Sequence, residues 1–437
     1  MLRSTWKSKA MLLGLGMIPL TAAMAQNAPA PKADPIAPLP DAAAKDAQPT
    51  TPPAPVPEAP PPIWQVDQVR ALLSYISGVG KEGLSPADYD SDGLLKALAA
   101  GDPVALSAAA TDRFNRLSSD LALGHVRGDA RIDWHVEDKD LDKVRQRQLL
   151  DWALSQNKLK DALDGLLPTH PQYAALKDAL AKASAGDAAE RAKVNRIRLN
   201  MDRWRWLPRD LGDRYIIVNV PSYYATLVEN GATRWKTRAV AGAIRTPTPQ
   251  LNATAVGVIL NPWWEVPPSI SGEVAGKAGF VAVKGKDGKI QRWRQPPGPT
   301  NALGQLKFVM YNPHNIYLHD TNAKSRFNSS VRAASHGCIR TKDVLTLATM
   351  LLGDDNGPWT PEKIQEQLAS KQTKQANFVK PLPVYIVYFS VAATNDGGIV
   401  DYEDVYKRDG KVIAALLDSD GEVPAAPKAP PKKVAAK

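Results

Sequence analysis

The chain of 437 residues contains one cysteine, Cys338, so no disulfide can form within it. Patterns of metal ligands are missing as well. Residues 88–93 begin like a calcium-binding loop, but Ala99 stands at the twelfth position, where such a loop needs a bidentate glutamate. The histidines away from Cys338 show no ligand spacing between them; these are His125, His135, His170 and His314. The sequence therefore predicts neither a disulfide framework nor a metal site.

Charge gives little support for a nucleic-acid partner. The formal net charge is +10, but the N-terminus contributes +3, the stretch 26–62 contributes −2 and the tail from residue 421 contributes +3. Residues 63–420 are left with +6, which suits contact with an anionic polymer without requiring one. Because no basic stripe with interleaved aromatic residues accompanies this charge, we predict no nucleic-acid partner.

The first 62 residues are typical of an exported protein. A basic start precedes an apolar run over 10–25, and Ala23 to Ala25 have the small-x-small form of a cleavage site. The rival interpretation is an uncleaved membrane anchor. It is disfavoured because the 16-residue run contains Pro19 and a spanning helix needs roughly 20 residues. We predict a signal peptide over 1–25 and a Pro/Ala-rich linker over 26–62, whose 13 prolines cannot build a core.

The rest of the chain divides into a helical part and a mainly β part, so the predicted fold class is α+β. Residues 63–195 show apolar residues at the helical period, in segments interrupted by Pro, Gly and Asp. From Arg214 onward short strand patterns dominate. We therefore predict a helical domain over 63–195, a mainly β domain over 196–415, and a disordered Pro/Ala/Lys tail over 416–437.

Local signals define several elements of the β part. The pair Asn230-Gly231 lies between two strand patterns and predicts a two-residue hairpin turn. A helix is expected over 341–352, with Gly353 just beyond its end. A second helix is expected from Pro361 to about residue 370, behind Thr360.

One cluster of residues has the chemistry of a nucleophile. His319 ends a predicted strand and is followed, after a polar loop, by Ser335-His336-Gly337-Cys338-Ile339-Arg340. A thiol nucleophile needs a partner that takes its proton, and imidazole does this near neutral pH. Gly337 allows a tight backbone whose amides can point at a developing oxyanion. The helix expected from Thr341 would lower the thiol pKa if it pointed at the sulfur. The alternative is a buried structural cysteine between two core histidines.

The signature formed by His319, a 15-residue gap and residues 335–340 resembles the catalytic domain of YkuD-type L,D-transpeptidases. Further segments resemble the long, YcbB-like members of this family, including their helical scaffold domain. These segments are Asn200–Pro208, Asn261–Pro268, Pro297–Gly304 and, in the scaffold, Gly83–Tyr89. The resemblance covers about residues 195–415 and implies a scaffold domain followed by a mainly β catalytic domain.

The resemblance also implies a peptidoglycan L,D-transpeptidase of the periplasm. Cys338 would attack the third residue of a tetrapeptide stem, expel D-Ala and form a thioester, and an amine of a neighbouring stem would complete a 3→3 cross-link. His319 would be the general base, its ring held by a backbone carbonyl near Asp320. The amides of Gly337 and Cys338 would form the oxyanion hole. This scheme needs no metal or organic cofactor.

The supporting residues have less narrowly defined roles. His336 would either hydrogen-bond near the oxyanion or brace the loop, and Arg340 would either bind a substrate carboxylate or pin the loop. The hydroxyl of Ser335 is expected to brace the loop. Tyr317 and Trp264 would line the cleft or belong to the core.

Two departures from the family pattern bear on substrate binding. Between His170 and Asn195 there is room for one short helical stretch, and not for the small peptidoglycan-binding module that long members often carry. Docking to the wall would therefore use other surfaces. The lid-like segment, over about 271–292, is short.

The acceptor stays open at the level of sequence. Water would make the protein an L,D-carboxypeptidase, and a lysine of an outer-membrane protein would make it an anchoring transferase. A related hydrolase would detach such proteins. Outside the enzyme class stands a non-catalytic cell-wall-binding protein. Other cell-wall enzymes are further candidate partners.

Overall fold

The computed structural model describes residues 61–137, 139–184, 186–394 and 398–418. The predicted signal peptide, all but the last two residues of the predicted linker, and the tail beyond residue 418 lie outside the described residues. Within the described ranges, no helix combines the length and the apolar character needed to cross a membrane.

The N-terminal part is helical, as predicted. Its helices are capped where the sequence supplies an acceptor: Asp102, Asp142 and Asp187 each accept hydrogen bonds from backbone N–H groups of the first turn. The helices are α1 Val66–Ser77, α2 Ser91–Ala100, α3 Pro103–Leu123, α4 Lys143–Ser155, α5 Leu159–Asp164, α6 Pro171–Lys182 and α7 Ala188–Arg205. The single helical stretch expected between His170 and Asn195 is wrong, because Asp187 and Glu190 form a capping box that starts α7 anew.

The C-terminal part is mostly β with some helices, which confirms the predicted fold class. The strands are β2 Arg214–Asn219, β3 Tyr224–Glu229, β4 Ala232–Gly242, β5 Gln250–Leu260, β6 Trp264–Glu265, β7 Val281–Lys284, β8 Ile290–Gln295, β9 Leu306–Met310, β10 Leu318–His319, β11 Ala333–Ser335, β12 Ile339–Thr341, β13 Lys374–Val387, β14 Val391–Ala393 and β15 Ile399–Asp401. The helices are α8 Ser271–Val274, α9 Val344–Gly353, α10 Pro361–Ala369 and α11 Asp409–Leu417.

The main sheet closes on itself. Its strands follow the order β5-β13-β2-β3-β4-β12-β10-β9, and β9 pairs again with β5. A short strand of the helical part, β1 (Trp134–His135), adds to β5 in parallel. Apolar side chains fill the core around the sheet, with Leu306, Leu318 and Ile339 fully buried. Within this sheet β10 lies between β12 and β9 and pairs with both.

Two local predictions have different outcomes. Asn230 and Gly231 both have positive φ, of 49° and 75°, as a two-residue hairpin turn requires. The helix expected from Thr341 begins only at Val344, because Thr341 pairs with Ala239 of β4 as part of β12. At its other end, Gly353 is the last helical residue and not a residue beyond the helix.

His170 lies where the helical part meets the β part. Its ring stacks on Trp204 at 4.1 Å between centroids, and Trp204 stacks on Phe389 at 4.4 Å. The Nδ1 atom accepts the backbone N–H of Gln172, so a proton on Nε2 faces the hydroxyl of Tyr215 at 3.3 Å. Burial lowers the pKa of His170 to about 4. The folded protein therefore holds this imidazole in its neutral form.

This neutral histidine predicts a pH-dependent stability. The unfolded chain binds a proton at His170 near pH 6.5 and the folded chain only near pH 4, so stability falls as the pH falls through that window. The contribution lost is up to about 3 kcal/mol. Urea unfolding at pH 7, 5.5 and 4 is expected to show that His170→Asn, which keeps a cap acceptor, loses less stability than the wild type. Parallel pH profiles of the two proteins would contradict this.

Candidate active site

The register of β10 and β12 sorts their side chains onto two faces. The strands run parallel, with Leu318 opposite Ile339 and His319 opposite Arg340. Leu318 and Ile339 are fully buried in the core. Side chains alternate along a strand, so the residues next to Leu318 and Ile339 in the chain point to the other face of the sheet. Lys307 of β9 lies opposite His319 and points to that same face. That face, called the reactive face below, carries Lys307, Tyr317, His319, Cys338 and Arg340.

His319 is held in one tautomer. Its side chain is 5% exposed, and Nδ1 lies within hydrogen-bonding distance of the backbone carbonyl of Asp320. Because a carbonyl only accepts, Nδ1 carries the proton and Nε2 is left with a free lone pair. Burial, together with the positive charge of Arg340, lowers the pKa of His319 to about 3. At neutral pH the imidazole is therefore uncharged and able to accept a proton.

Cys338 is half-buried, and its thiol donates to the carbonyl oxygen of Asn315 with the sulfur 3.6 Å away. Burial raises the pKa of the Cys338 thiol, and contacts with Tyr317 and the charge of Lys307 offset this only in part. Helix α9 begins at Val344, six residues beyond the cysteine, and not at Thr341 as expected. The thiol is protonated at neutral pH.

Tyr317 and Lys307 complete the surroundings of this pair. The Tyr317 ring lies edge-on to His319, 5.6 Å between centroids, and its hydroxyl interacts with Cys338. Burial raises the pKa of that hydroxyl, which keeps it protonated and able to donate. The Nζ of Lys307 lies 5.1 Å from the centre of the Tyr317 ring, and burial lowers its pKa. The structure thus places Tyr317 at the candidate site and adds Lys307.

Ser335 braces the loop before the cysteine, as its hydroxyl was expected to do. Its Oγ donates to the carbonyl of Cys338 at 2.6 Å and accepts the N–H of Gly337 at 3.1 Å. The Gly337 amide is therefore engaged, and the prediction that it points at an oxyanion does not fit this geometry. Gly337 has a φ of 114°, a conformation that side-chain-bearing residues rarely adopt, so glycine is needed there.

A second brace holds the same loop through Thr248, which follows β4, and through Tyr406. Thr248 is fully buried; its hydroxyl donates to the carbonyl of Gly337 at 2.7 Å and accepts the N–H of Gly242 at 2.9 Å. The hydroxyl of Tyr406 accepts the N–H of Thr248 and donates to the carbonyl of Gly242. Sequence reasoning missed Thr248, Tyr406 and Lys307, because their positions at the site depend on distant strand pairings.

The remaining predicted residues lie around the reactive face. His336 is exposed, and its Nε2 is 3.7 Å from the carboxylate of Glu273 in the lid-like segment. The Nε of Arg340 is buried and has no hydrogen-bond partner among the described residues. Asp320 is 4% exposed, accepts the N–H of Gln305 and pairs with Lys324.

Trp264 belongs to a separate structure beside the site. It lies in β6, which forms a three-stranded sheet with β8 and β7, and it packs edge-on against Phe280 at 6.0 Å. Val266, Ile270 and Val274 make a small core under this sheet. The short lid-like segment is thus a folded unit, and Trp264 packs against its core instead of projecting from the reactive face.

The described ranges contain no group of three or more His, Cys, Asp or Glu placed to hold a metal ion.

Comparisons with known proteins identify the families that the chain resembles. Residues 213–385 match the family model of the YkuD L,D-transpeptidase catalytic domain, and residues 58–180 match that of the Scaffold domain. A relative named putative L,D-transpeptidase, from Haemophilus influenzae, is 29% identical over 253 residues. The match covers 52% of this chain and 50% of the relative, so the chain spans about half the length of the curated relative it matches.

Solved structures give weaker likenesses. The L,D-transpeptidase from Mycobacterium smegmatis is 13% identical with a TM-score of 0.22, covering 40% of this chain and 58% of that one. The catalytic domain of the E. faecium L,D-transpeptidase acylated by ertapenem is 17% identical with a TM-score of 0.20, covering 41% and 99%. These scores are too low to support conclusions about this chain.

The protonation states predict how the thiol reacts with an alkylating agent. Alkylation by iodoacetamide needs the thiolate, and the raised pKa of Cys338 leaves little thiolate at neutral pH. The rate is expected to rise about tenfold per pH unit from pH 6 to 8.5, without an inflection from His319. Intact mass reports the reaction at one site, because Cys338 is the only cysteine. A plateau over this range, typical of a thiolate–imidazolium pair, would refute the neutral pair.

The brace through Thr248 predicts a loss of stability on its removal. Thr248→Val leaves the carbonyl of Gly337 and the N–H of Gly242 buried without this partner, which is expected to cost about 2 kcal/mol of unfolding free energy. Thr248→Ser keeps the hydroxyl and is expected to recover most of that loss. Urea unfolding of the three proteins at pH 7 is the measurement. Equal stability of the valine variant and the wild type would show that the hydroxyl does not hold the loop.

Proposed function

Because the chain carries a YkuD L,D-transpeptidase catalytic domain together with a scaffold domain, we propose that it forms 3→3 cross-links between peptidoglycan stem peptides through a thioester on Cys338. The observation that carries the proposal is the presence of Cys338 and a neutral His319 on one face of β10 and β12. The predicted signal peptide would deliver the protein to the periplasm, where the wall is built.

In the first half-reaction His319 moves the proton of the thiol. As Sγ attacks the carbonyl of the third stem residue, Nε2 of His319 takes the proton, while Nδ1–H stays bonded to the carbonyl of Asp320. Burial makes the resulting imidazolium unfavourable, which favours the passage of its proton to the departing D-Ala amine. A thioester and free D-Ala remain.

In the second half-reaction an amine of another stem attacks the thioester carbonyl. The new C–N bond forms, the C–S bond breaks, and the proton of the amine returns to Cys338 by way of His319. The acceptor amine thus takes the place that the D-Ala amine left. Both halves use the same histidine, first as base and then as acid.

Stabilisation of the oxyanion requires donors other than the Gly337 amide. The backbone N–H of Cys338 is one, and the protonated hydroxyl of Tyr317 lies next to the sulfur as another. The cations of Lys307 and Arg340 on the same face add a favourable field for negative charge on the substrate. Loss of one such donor typically raises the barrier by about 3 kcal/mol.

A product assay tests the proposal. The purified protein is incubated with disaccharide-tetrapeptide from a diaminopimelate-type wall, and mass spectrometry is expected to detect a dimer that has lost one D-Ala. Cys338→Ala is expected to abolish this product, and His319→Gln to slow it by a factor of about 100 to 10,000. His170→Asn is the matched control, because it removes another buried neutral histidine that lies away from the reactive face.

Other products would redirect or refute the assignment. Tripeptide without dimer would favour an L,D-carboxypeptidase or an enzyme that uses a protein lysine as acceptor. No Cys338-dependent product from folded protein would contradict the proposed reaction and favour a hydrolase acting on protein–peptidoglycan links or a non-catalytic wall-binding protein.

A further inference from the structure

A cavity of about 540 Å³ lies beside the reactive face. It reaches the two residues that precede Cys338 in the chain, and its far side is made by the helical part and by the residues around the start of α11. Residues 406–411, which run into the first turn of α11, lie outside both ranges that match family models. Its walls include Ile132, Asp133, His336, Gly337, Lys407 and Lys411.

The far wall of the cavity is firmly held. In α11, Val412 and Leu416 are buried in a cluster with Trp206 of the helical part. Asp409, at the start of the same helix, pairs with Arg203 at 2.8 Å. These contacts fix the segment that carries Lys407 and Lys411, so the cavity is a built feature of the fold.

The charge of the cavity is positive. Its one carboxylate, Asp133, is paired with Arg408 at 2.6 Å and with His135 at 3.0 Å. Lys407 and Lys411 are exposed and form no ion pair with any residue that the structure describes. Two lysines without an ion pair among the described residues thus line a cavity whose volume lies in the range of ligand sites.

The neutral part of the wall suits a peptide. Ile244, Ile316 and Pro247 give it apolar surface, and Tyr406 adds an aromatic ring. Apolar walls with a few placed charges are typical of sites that bind small organic ligands. The chemistry that fits is a peptide with a free carboxylate.

Tyr406 connects this cavity to the candidate nucleophile. Its hydroxyl bonds to Thr248 and Gly242, and Thr248 in turn holds the carbonyl of Gly337, next to Cys338. The cavity lining does not include Lys307 or Arg340, which lie on the reactive face. Cations therefore occur in two separate places around one thiol.

We infer that this cavity binds the acceptor peptide, whose carboxylate pairs with Lys407 and Lys411 while its amine attacks the thioester. The inference rests on the proposed function, since a reaction that joins two carboxylate-bearing peptides needs a second cationic site beside the nucleophile. The donor peptide occupies the reactive face, with Lys307 and Arg340. In the step concerned, the amine forms the C–N bond, the C–S bond breaks, and the proton returns to Cys338.

The test uses the full chain and separates the two half-reactions. The double variant Lys407→Gln/Lys411→Gln is compared with Lys182→Gln/Lys193→Gln, a matched pair of exposed lysines that do not line the cavity. Acyl-enzyme formation from a tetrapeptide donor is followed by intact mass. Dimer formation is then measured against the concentration of an added acceptor tetrapeptide, with its carboxylates either free or amidated.

The expected result is specific to the acceptor step. With the free-acid acceptor, the half-saturating concentration should rise about threefold to tenfold in the cavity variant, as for two partly exposed ion pairs. With the amidated acceptor, the half-saturating concentration should differ less than twofold between the cavity variant and the wild type. The cavity variant should also lose more of its acyl-enzyme to water, as tripeptide. The control pair should behave as the wild type.

Each other outcome overturns the inference in a distinguishable way. Equal acceptor dependence in the cavity variant and the wild type would show that the lysines do not recognise the acceptor. A loss confined to acyl-enzyme formation would assign the cavity to the donor. Absence of acyl-enzyme in folded wild-type protein would overturn the proposed function, and the inference with it.

Discussion

The candidate site depends on the register of one short parallel strand pair. Leu318 opposite Ile339 places two apolar side chains in the core, and the alternation along each strand then puts His319 and Cys338 together on the other face. A slip of one residue would expose the first pair and bury the second. The free energy gained by burying the apolar pair therefore also fixes the relative positions of His319 and Cys338. The pairing of β9 with β5 closes the sheet around this core.

The burial that positions these groups also sets their charges. It lowers the pKa of His319 and raises that of the Cys338 thiol, so both are neutral before substrate binds. In the proposed reaction, charge would then develop only as the thiol attacks, next to the cations of Lys307 and Arg340. Burial also lowers the pKa values of Lys307 and Arg340, because it removes their charged groups from water. Such desolvation reduces stability, and it is more typical of functional sites than of an ordinary core.

Sequence signals succeeded where they were local. The hairpin at Asn230-Gly231 and the helix from Pro361 are set by residues within a few positions, and the structure has both. The expected helix start at Thr341 failed because that residue pairs with Ala239, about a hundred positions earlier. The motif suggests the Gly337 amide for an oxyanion hole, and it cannot show that this N–H donates to the hydroxyl of Ser335. Fold class was predictable, whereas hydrogen-bond partners at the site required tertiary contacts.

The helical part contributes to the surroundings of the site through the sheet. Strand β1 adds to β5. Asp133, the residue just before β1 in the chain, pairs with Arg408, the residue just before α11. In addition, Arg203 of α7 pairs with Asp409. The cavity beside Gly337 thus takes lining residues from both parts, which these contacts join. The helical part supplies Ile132 and Asp133, and the C-terminal part supplies the other lining residues, including Lys407, Arg408 and Lys411. The complete lining therefore depends on the contacts that join the two parts.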